Sequence, residues 1–101
     1  MKIIAMDKLK PGVSFEQIRP HLREEAQAVW IQYRKGIYRE LYFRQDGAGV
    51  VFVLECADAA EAKRHVSELP LVKEGLIEFE FIPLGPFHLF STLFREPIES
   101  D

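Results

Sequence analysis

The chain opens on four apolar residues in a row, Ile3-Ile4-Ala5-Met6, inside Lys2 to Lys8. A short run that is apolar on both sides predicts a strand buried on both faces. Lys10-Pro11-Gly12 is a turn signal. Ser14 follows as a helix N-cap, with Gln17 three residues later completing a capping box. The helix is predicted to run to about Lys35 and to stop at Gly36, a natural C′ residue. Pro20 lies too deep for a first-turn proline, so either the helix kinks there or a short opening turn precedes a second start. At about 100° per residue, Phe15, Ile18, Leu22, Ala26, Val29 and Tyr33 gather into one apolar stripe. Arg23, Glu24, Gln27 and Arg34 fall opposite. Glu25 breaks the division by projecting within the stripe, and His21, one turn earlier, sits on its flank.

Ile37 to Arg44 reads as a second strand, and Asp46-Gly47 with Gly49 turns it into Val50 to Glu55. Asp58 caps a second helix with Glu61 at the box position, and Ala59, Ala62, Val66 and Leu69 form its buried face up to Pro70. Leu76 to Ile82 alternates, with Ile77, Phe79 and Phe81 on one side and Glu78 and Glu80 on the other. The order βαββαβ predicts an α+β, ferredoxin-like fold with an antiparallel sheet. In that fold the first and third strands are central, and here those two are apolar on both faces. Helices cover one face only, so the pattern calls for a cover on the other. Phe87, Leu89, Phe90, Leu93 and Phe94 add a strongly apolar tail of a kind that monomers rarely expose. The expectation is one domain over 1–86 and a tail over 87–101 that packs on a partner subunit, giving a homodimer or higher homo-oligomer joined sheet to sheet into an α/β barrel.

Charge and cysteine content narrow the function classes. A formal charge of −3 disfavours a nucleic-acid or anionic-lipid surface. The single Cys56 permits no intrachain disulfide. Charges interrupt Met1 to Lys10, so no signal-peptide pattern opens the chain. No apolar run reaches the roughly 20 residues of a membrane helix. These features fit a reducing cytoplasm, no membrane partner and no nucleic-acid partner. His65 and His88 have no acidic or cysteine companion at ligand spacing, and phosphate loops, nucleophile elbows and nucleotide fingerprints are missing. Neither a metal nor a cofactor is expected.

From Gly36 to Pro86 the chain resembles the muconolactone isomerase family of the dimeric α/β-barrel superfamily. The resemblance rests on Tyr38-Arg39-Glu40-Leu41-Tyr42, on Leu69-Pro70-Leu71 and on the acidic alternating stretch Ile77-Glu78-Phe79-Glu80. Glu24-Glu25 also falls where that enzyme carries acidic residues, and about two-thirds of the chain is covered. Arg19-Pro20-His21-Leu22 is loosely similar, one residue short, to the Arg-Pro-x-His element of the YciI-like family. The resemblance implies a subunit whose pocket lies between sheet and helices. It also implies cofactor-free isomerisation, a proton moving beside the carbonyl of a small acidic lactone or related metabolite. Folds of this superfamily also host cofactor-free monooxygenases and proteins with no known chemistry, so fold alone does not decide function.

The residue pattern nominates Glu25 as a general base, since burial beside Leu22, Val29 and Tyr33 raises a carboxylate toward neutrality. His21 is its relay. Strand alternation groups Arg39 with Ile37, Leu41 and Phe43 toward the helices. There its guanidinium either pairs with Glu25 for structural reasons or anchors a substrate carboxylate. Trp30 and Phe43 would shape an apolar wall. Tyr38, Tyr42, Glu40 and Arg44 are assigned to the subunit interface, and Cys56 to inert packing. Two other readings stand beside the isomerase: a non-catalytic small-ligand-binding or structural module, and a cofactor-free monooxygenase.

Overall fold

A computed structural model of the chain describes residues 1–94. Strand β1 spans Lys2–Leu9, β2 Tyr38–Phe43, β3 Val50–Glu55 and β4 Ile77–Pro83. Helix α1 spans Phe15–Ile18, α2 Leu22–Arg34, α3 Ala59–Val66 and α4 Pro70–Lys73, and His88–Phe94 form a 3₁₀ tail. The sheet order is β2-β3-β1-β4 with every neighbour antiparallel, the ferredoxin-like arrangement.

Pro20 selects the second of its two alternatives. Arg19–His21 form a 3₁₀ turn between α1 and α2, because a proline in mid-helix lacks the N–H and crowds the preceding turn. Gly36, at φ +81°, ends α2 in a Schellman motif. Its N–H donates to the Tyr33 carbonyl at 3.0 Å and that of Ile37 to the Gln32 carbonyl at 3.1 Å. Asp58 caps α3 by accepting from the Glu61 N–H at 2.9 Å. The expectation for Pro70 needs correction: it does not close α3, which ends at Val66, but opens α4 at its first position, where a missing N–H costs nothing.

Ile3, Ala5, Phe52 and Leu54 point to the helix side and join Ala62, Val66 and Leu69 in the main core. A second, smaller core joins Ile18, Leu71 and Ile77. On the opposite sheet face Ile4, Met6, Val51 and Val53 are only half-buried.

Helix α2 carries no fully buried residue. Ala28 and Val29 pack on the core, while Phe15, Leu22 and Tyr33 of the predicted stripe remain exposed. The N-terminal part of the stripe therefore borders a gap between helix and sheet rather than filling it. The tail leaves the body of the molecule: Phe87, Leu89, Phe90, Leu93 and Phe94 are all exposed. The Cα radius of gyration is 18.1 Å, against roughly 13 Å for a compact chain of this length. The rest of the tail, 95–101, lies outside the described residues.

Candidate active site

The gap under α2 is a cleft of about 920 Å³. Phe15, Leu22, Val29, Leu41 and Ile77 supply apolar walls, Phe52 lies on the floor, and Trp30, Tyr42 and Phe43 stand at the rim. Trp30 is 57% exposed and Phe43 81%, although both are large rings. Two carboxylates enter this apolar space, Asp7 from β1 and Glu25 from α2.

Glu25 Oε1 accepts the backbone N–H of Leu71 at 2.9 Å. Pro70 has no N–H and Leu69, the residue before α4, has no side-chain acceptor, so Glu25 caps α4 from a distant element. Burial pushes the Glu25 carboxyl above its ordinary 4.5. The Leu71 bond opposes that rise, the negative charge of Asp7 adds to it, and His21 opposes it.

Asp7 is the residue that the sequence reading missed. Its Oδ1 accepts the Val50 N–H at 2.8 Å. Burial raises its carboxyl too, against the pull of the Val50 bond, of its own backbone N–H and of the Arg44 charge. Gly49, at φ +117°, makes this approach possible, since a Cβ there would lie 2.8 Å from Asp7 Oδ1. A signal was available: Asp7 is in phase with Ile3 and Ala5, the core-facing set of β1.

Arg39 is not where alternation predicted. A β-bulge falls between Tyr38 and Glu40, so Tyr38 pairs with Leu54 and Glu40 with Val53. The extra residue is Arg39, and it turns outward. Its Nε donates to the Gly36 carbonyl, its side chain is exposed, and it is absent from the cleft lining. No Arg39–Glu25 ion pair forms among the described residues.

The bulge also moves Tyr38 from the expected interface to the core, where it is fully buried against Phe52 at a ring separation of 5.1 Å. Its hydroxyl has no hydrogen-bond partner. Burial drives its titration far above the usual value for a phenol, and Glu25 and Cys56 push in the same direction. Tyr42 and Glu40 do lie on the open sheet face, joined by a 2.7 Å bond from the Tyr42 hydroxyl.

His21 stays off the cleft lining, with Nδ1 3.9 Å from Glu24. Trp30 and Phe43 do line it. His65, read from sequence as lacking an acidic companion, has one in Glu61, with Nε2 3.3 Å from its Oε2. Among the described residues no three His, Cys, Asp or Glu side chains converge in a metal-holding group. Burial raises the Cys56 thiol away from the reactive thiolate. No helix among the described residues is long and apolar enough to cross a membrane.

No family model matches this sequence, and no curated protein matches it. Among solved structures the chain is similar to 5-chloro-2-hydroxyhydroquinone dehydrochlorinase (TftG) from Burkholderia phenoliruptrix, in complex with 2,5-dihydroxybenzoquinone. The two superpose with a TM-score of 0.68 over 84% of this chain and 94% of that one, at 16% identity. At that identity the likeness is one of fold, the ferredoxin-like arrangement of four antiparallel strands and helices.

Proposed function

We propose that the chain is a small-molecule enzyme performing cofactor-free proton transfer next to a carbonyl, the class of chemistry that muconolactone-type isomerases use. The observation that carries this is the pair of half-buried carboxylates, Asp7 and Glu25, in one apolar cleft, both raised toward the range where proton exchange is efficient. Glu25 takes the proton as a C–H bond breaks and its electron pair moves into the carbonyl as an enolate. Glu25, now protonated, returns the proton at a neighbouring carbon or oxygen, and Asp7 accepts a hydrogen bond from the substrate beside it. Trp30 and Phe43 hold the ring or lactone, and His21 tunes Glu25 from outside the cleft. Arg39, turned away from the cleft, has no part in the reaction. TftG, a 5-chloro-2-hydroxyhydroquinone dehydrochlorinase, supports small cyclic carbonyl compounds as the place to start.

The same reading includes a homodimer formed through the open sheet face, with the tail 87–101 packed on the partner. The chemistry is tested by solvent deuterium wash-in, followed by NMR, across a panel of enolisable lactones and 2,5-dihydroxybenzoquinone. Exchange that falls about 10²–10⁴-fold in Glu25→Gln supports it. Binding without exchange favours the non-catalytic ligand-binding module, and exchange untouched by Glu25→Gln removes Glu25 as the base.

A further inference from the structure

The hydrogen-bonding character of the cleft is lopsided. Glu25 accepts from the Leu71 N–H and Asp7 from the Val50 N–H, and among the described residues no side-chain donor reaches either carboxylate. Ionised carboxylates only accept.

The side-chain donors around them are few, and apart from the Trp30 indole N–H at the rim they face other acids or point away. Arg44, near Asp7, is engaged by Asp46 through two bonds of 3.0 Å. Lys8 Nζ lies 3.8 Å from Glu78, and the Tyr42 hydrogen goes to Glu40. Arg39 faces away. The unpartnered hydroxyl of Tyr38 is fully buried behind the cleft and does not line it. A ligand that brings acceptors or negative charge meets like charge here, whereas one that brings O–H groups meets acceptors that no side-chain donor reaches.

The rest of the cleft sets the shape. Phe15, Trp30 and Phe43 line it with exposed aromatic rings, and aromatic rings favour stacking on a flat ring. An ammonium would satisfy the charge but not the walls, because desolvating a cation among Leu22, Val29 and Leu41 costs far more than desolvating a hydroxyl.

We propose that the cleft binds an uncharged, planar ring compound carrying at least two hydroxyl groups, which donate to the carboxylates of Asp7 and Glu25 while the ring lies among Phe15, Trp30 and Phe43. This rests on the cleft being the functional site and not on turnover. It departs from the acidic lactone that the sequence resemblance implies.

The test is a binding series on the wild-type chain by NMR titration at neutral pH. The probes are the three dihydroxybenzenes under reducing conditions, their dimethyl ethers, the hydroxybenzoates and tyramine. At least one dihydroxybenzene is expected to bind in the cleft, with its ether and the hydroxybenzoates about tenfold weaker or worse, as one lost pair of hydrogen bonds or one opposed charge dictates. In Asp7→Asn with Glu25→Gln the penalty on the hydroxybenzoates is expected to shrink. Ethers that bind as well as the diols, a hydroxybenzoate or tyramine that binds best, or no binding by any dihydroxybenzene overturns the assignment. Because the series reads binding alone, it can fail while deuterium wash-in succeeds, and the reverse.

Discussion

The carboxylate of Glu25 on α2 caps the N–H of Leu71 on α4 at 2.9 Å, across 46 residues of sequence. One contact thus ties the helix above the cleft to the short helix beside it, through a residue that also lines the cleft. The structural duty needs only an acceptor. The chemical duty needs a charge.

That division predicts how substitutions separate. Glu25→Gln keeps an oxygen for Leu71, so stability should stay within about 0.5 kcal/mol of wild type. Glu25→Leu removes the cap and should cost about 1 kcal/mol, read as a fall in the chemical-denaturation midpoint. Both should lose proton-transfer activity about equally. Adding Arg39→Leu to Glu25→Leu should restore nothing, since the two side chains do not meet. Recovery in the double variant would contradict the geometry.

The failure of the Arg39 expectation shows where sequence legibility ends. Strand order, helix caps and the phase of β1, β3 and β4 follow from periodicity and turn residues, which act over a few neighbours. The bulge at Arg39 follows from how β2 meets β3, a pairing that no local pattern encodes, and one inserted residue reverses which side chains face the helices. Glu25 was legible because it breaks an apolar stripe. Asp7 was equally out of pattern on β1, but at the end of a strand a charge reads as an ordinary flank. Its partner, the close approach of Gly49, exists only after the hairpin has closed on β1.

Gly49→Ala tests that approach. The backbone at φ +117° disfavours any side chain, and the added Cβ would meet Asp7 Oδ1 at 2.8 Å. A loss of about 1–3 kcal/mol is expected from the conformation, with a further loss as Asp7 moves. Urea denaturation gives the first, and the amide shift of Val50 reports the second.

Tyr38→Phe removes a buried hydroxyl that bonds to nothing. An unmet polar group costs desolvation energy, so the variant should match wild type or gain up to about 1 kcal/mol. Tyr38→Ala, which empties the same site beside Phe52, should lose about 3–5 kcal/mol. A thermal midpoint that falls in Tyr38→Phe would mean that the hydroxyl has a partner.

The pH dependence of stability has a definite sign at the two acids. Burial raises both in the folded chain above ordinary values of 3.8 for Asp7 and 4.5 for Glu25. In that window the folded state holds more protons than the unfolded one, so stability falls as pH rises. Their contribution is complete below the unfolded values and is lost as pH climbs through the raised folded ones. Asp7→Asn with Glu25→Gln should therefore gain on wild type between acid and neutral pH, with the difference levelling off at the top. A difference that grows toward acid would reverse the assignment.

Two apolar surfaces are left uncovered by the described residues, and they lead us to expect assembly. One is the sheet face of Ile4, Met6, Val51 and Val53, with Ile82 and Tyr42 beside it. The other is the tail, where Phe94 is 83% exposed and Phe87 and Phe90 meet edge to face at 5.0 Å. Monomers rarely carry exposed patches of this size, and a sheet face of this kind matches a second copy of itself. Sedimentation at micromolar concentration should therefore give a dimer or larger. Val53→Lys places a charge at the centre of the open face, where pairing would bury it unpaired, and should shift the species toward monomer while leaving the helix-side core intact by circular dichroism. Deleting 87–101 should weaken the assembly without unfolding the domain, because none of the large side chains of 87–94 enters the core. A wild-type chain that sediments as a monomer would leave both surfaces without the partner that their composition requires.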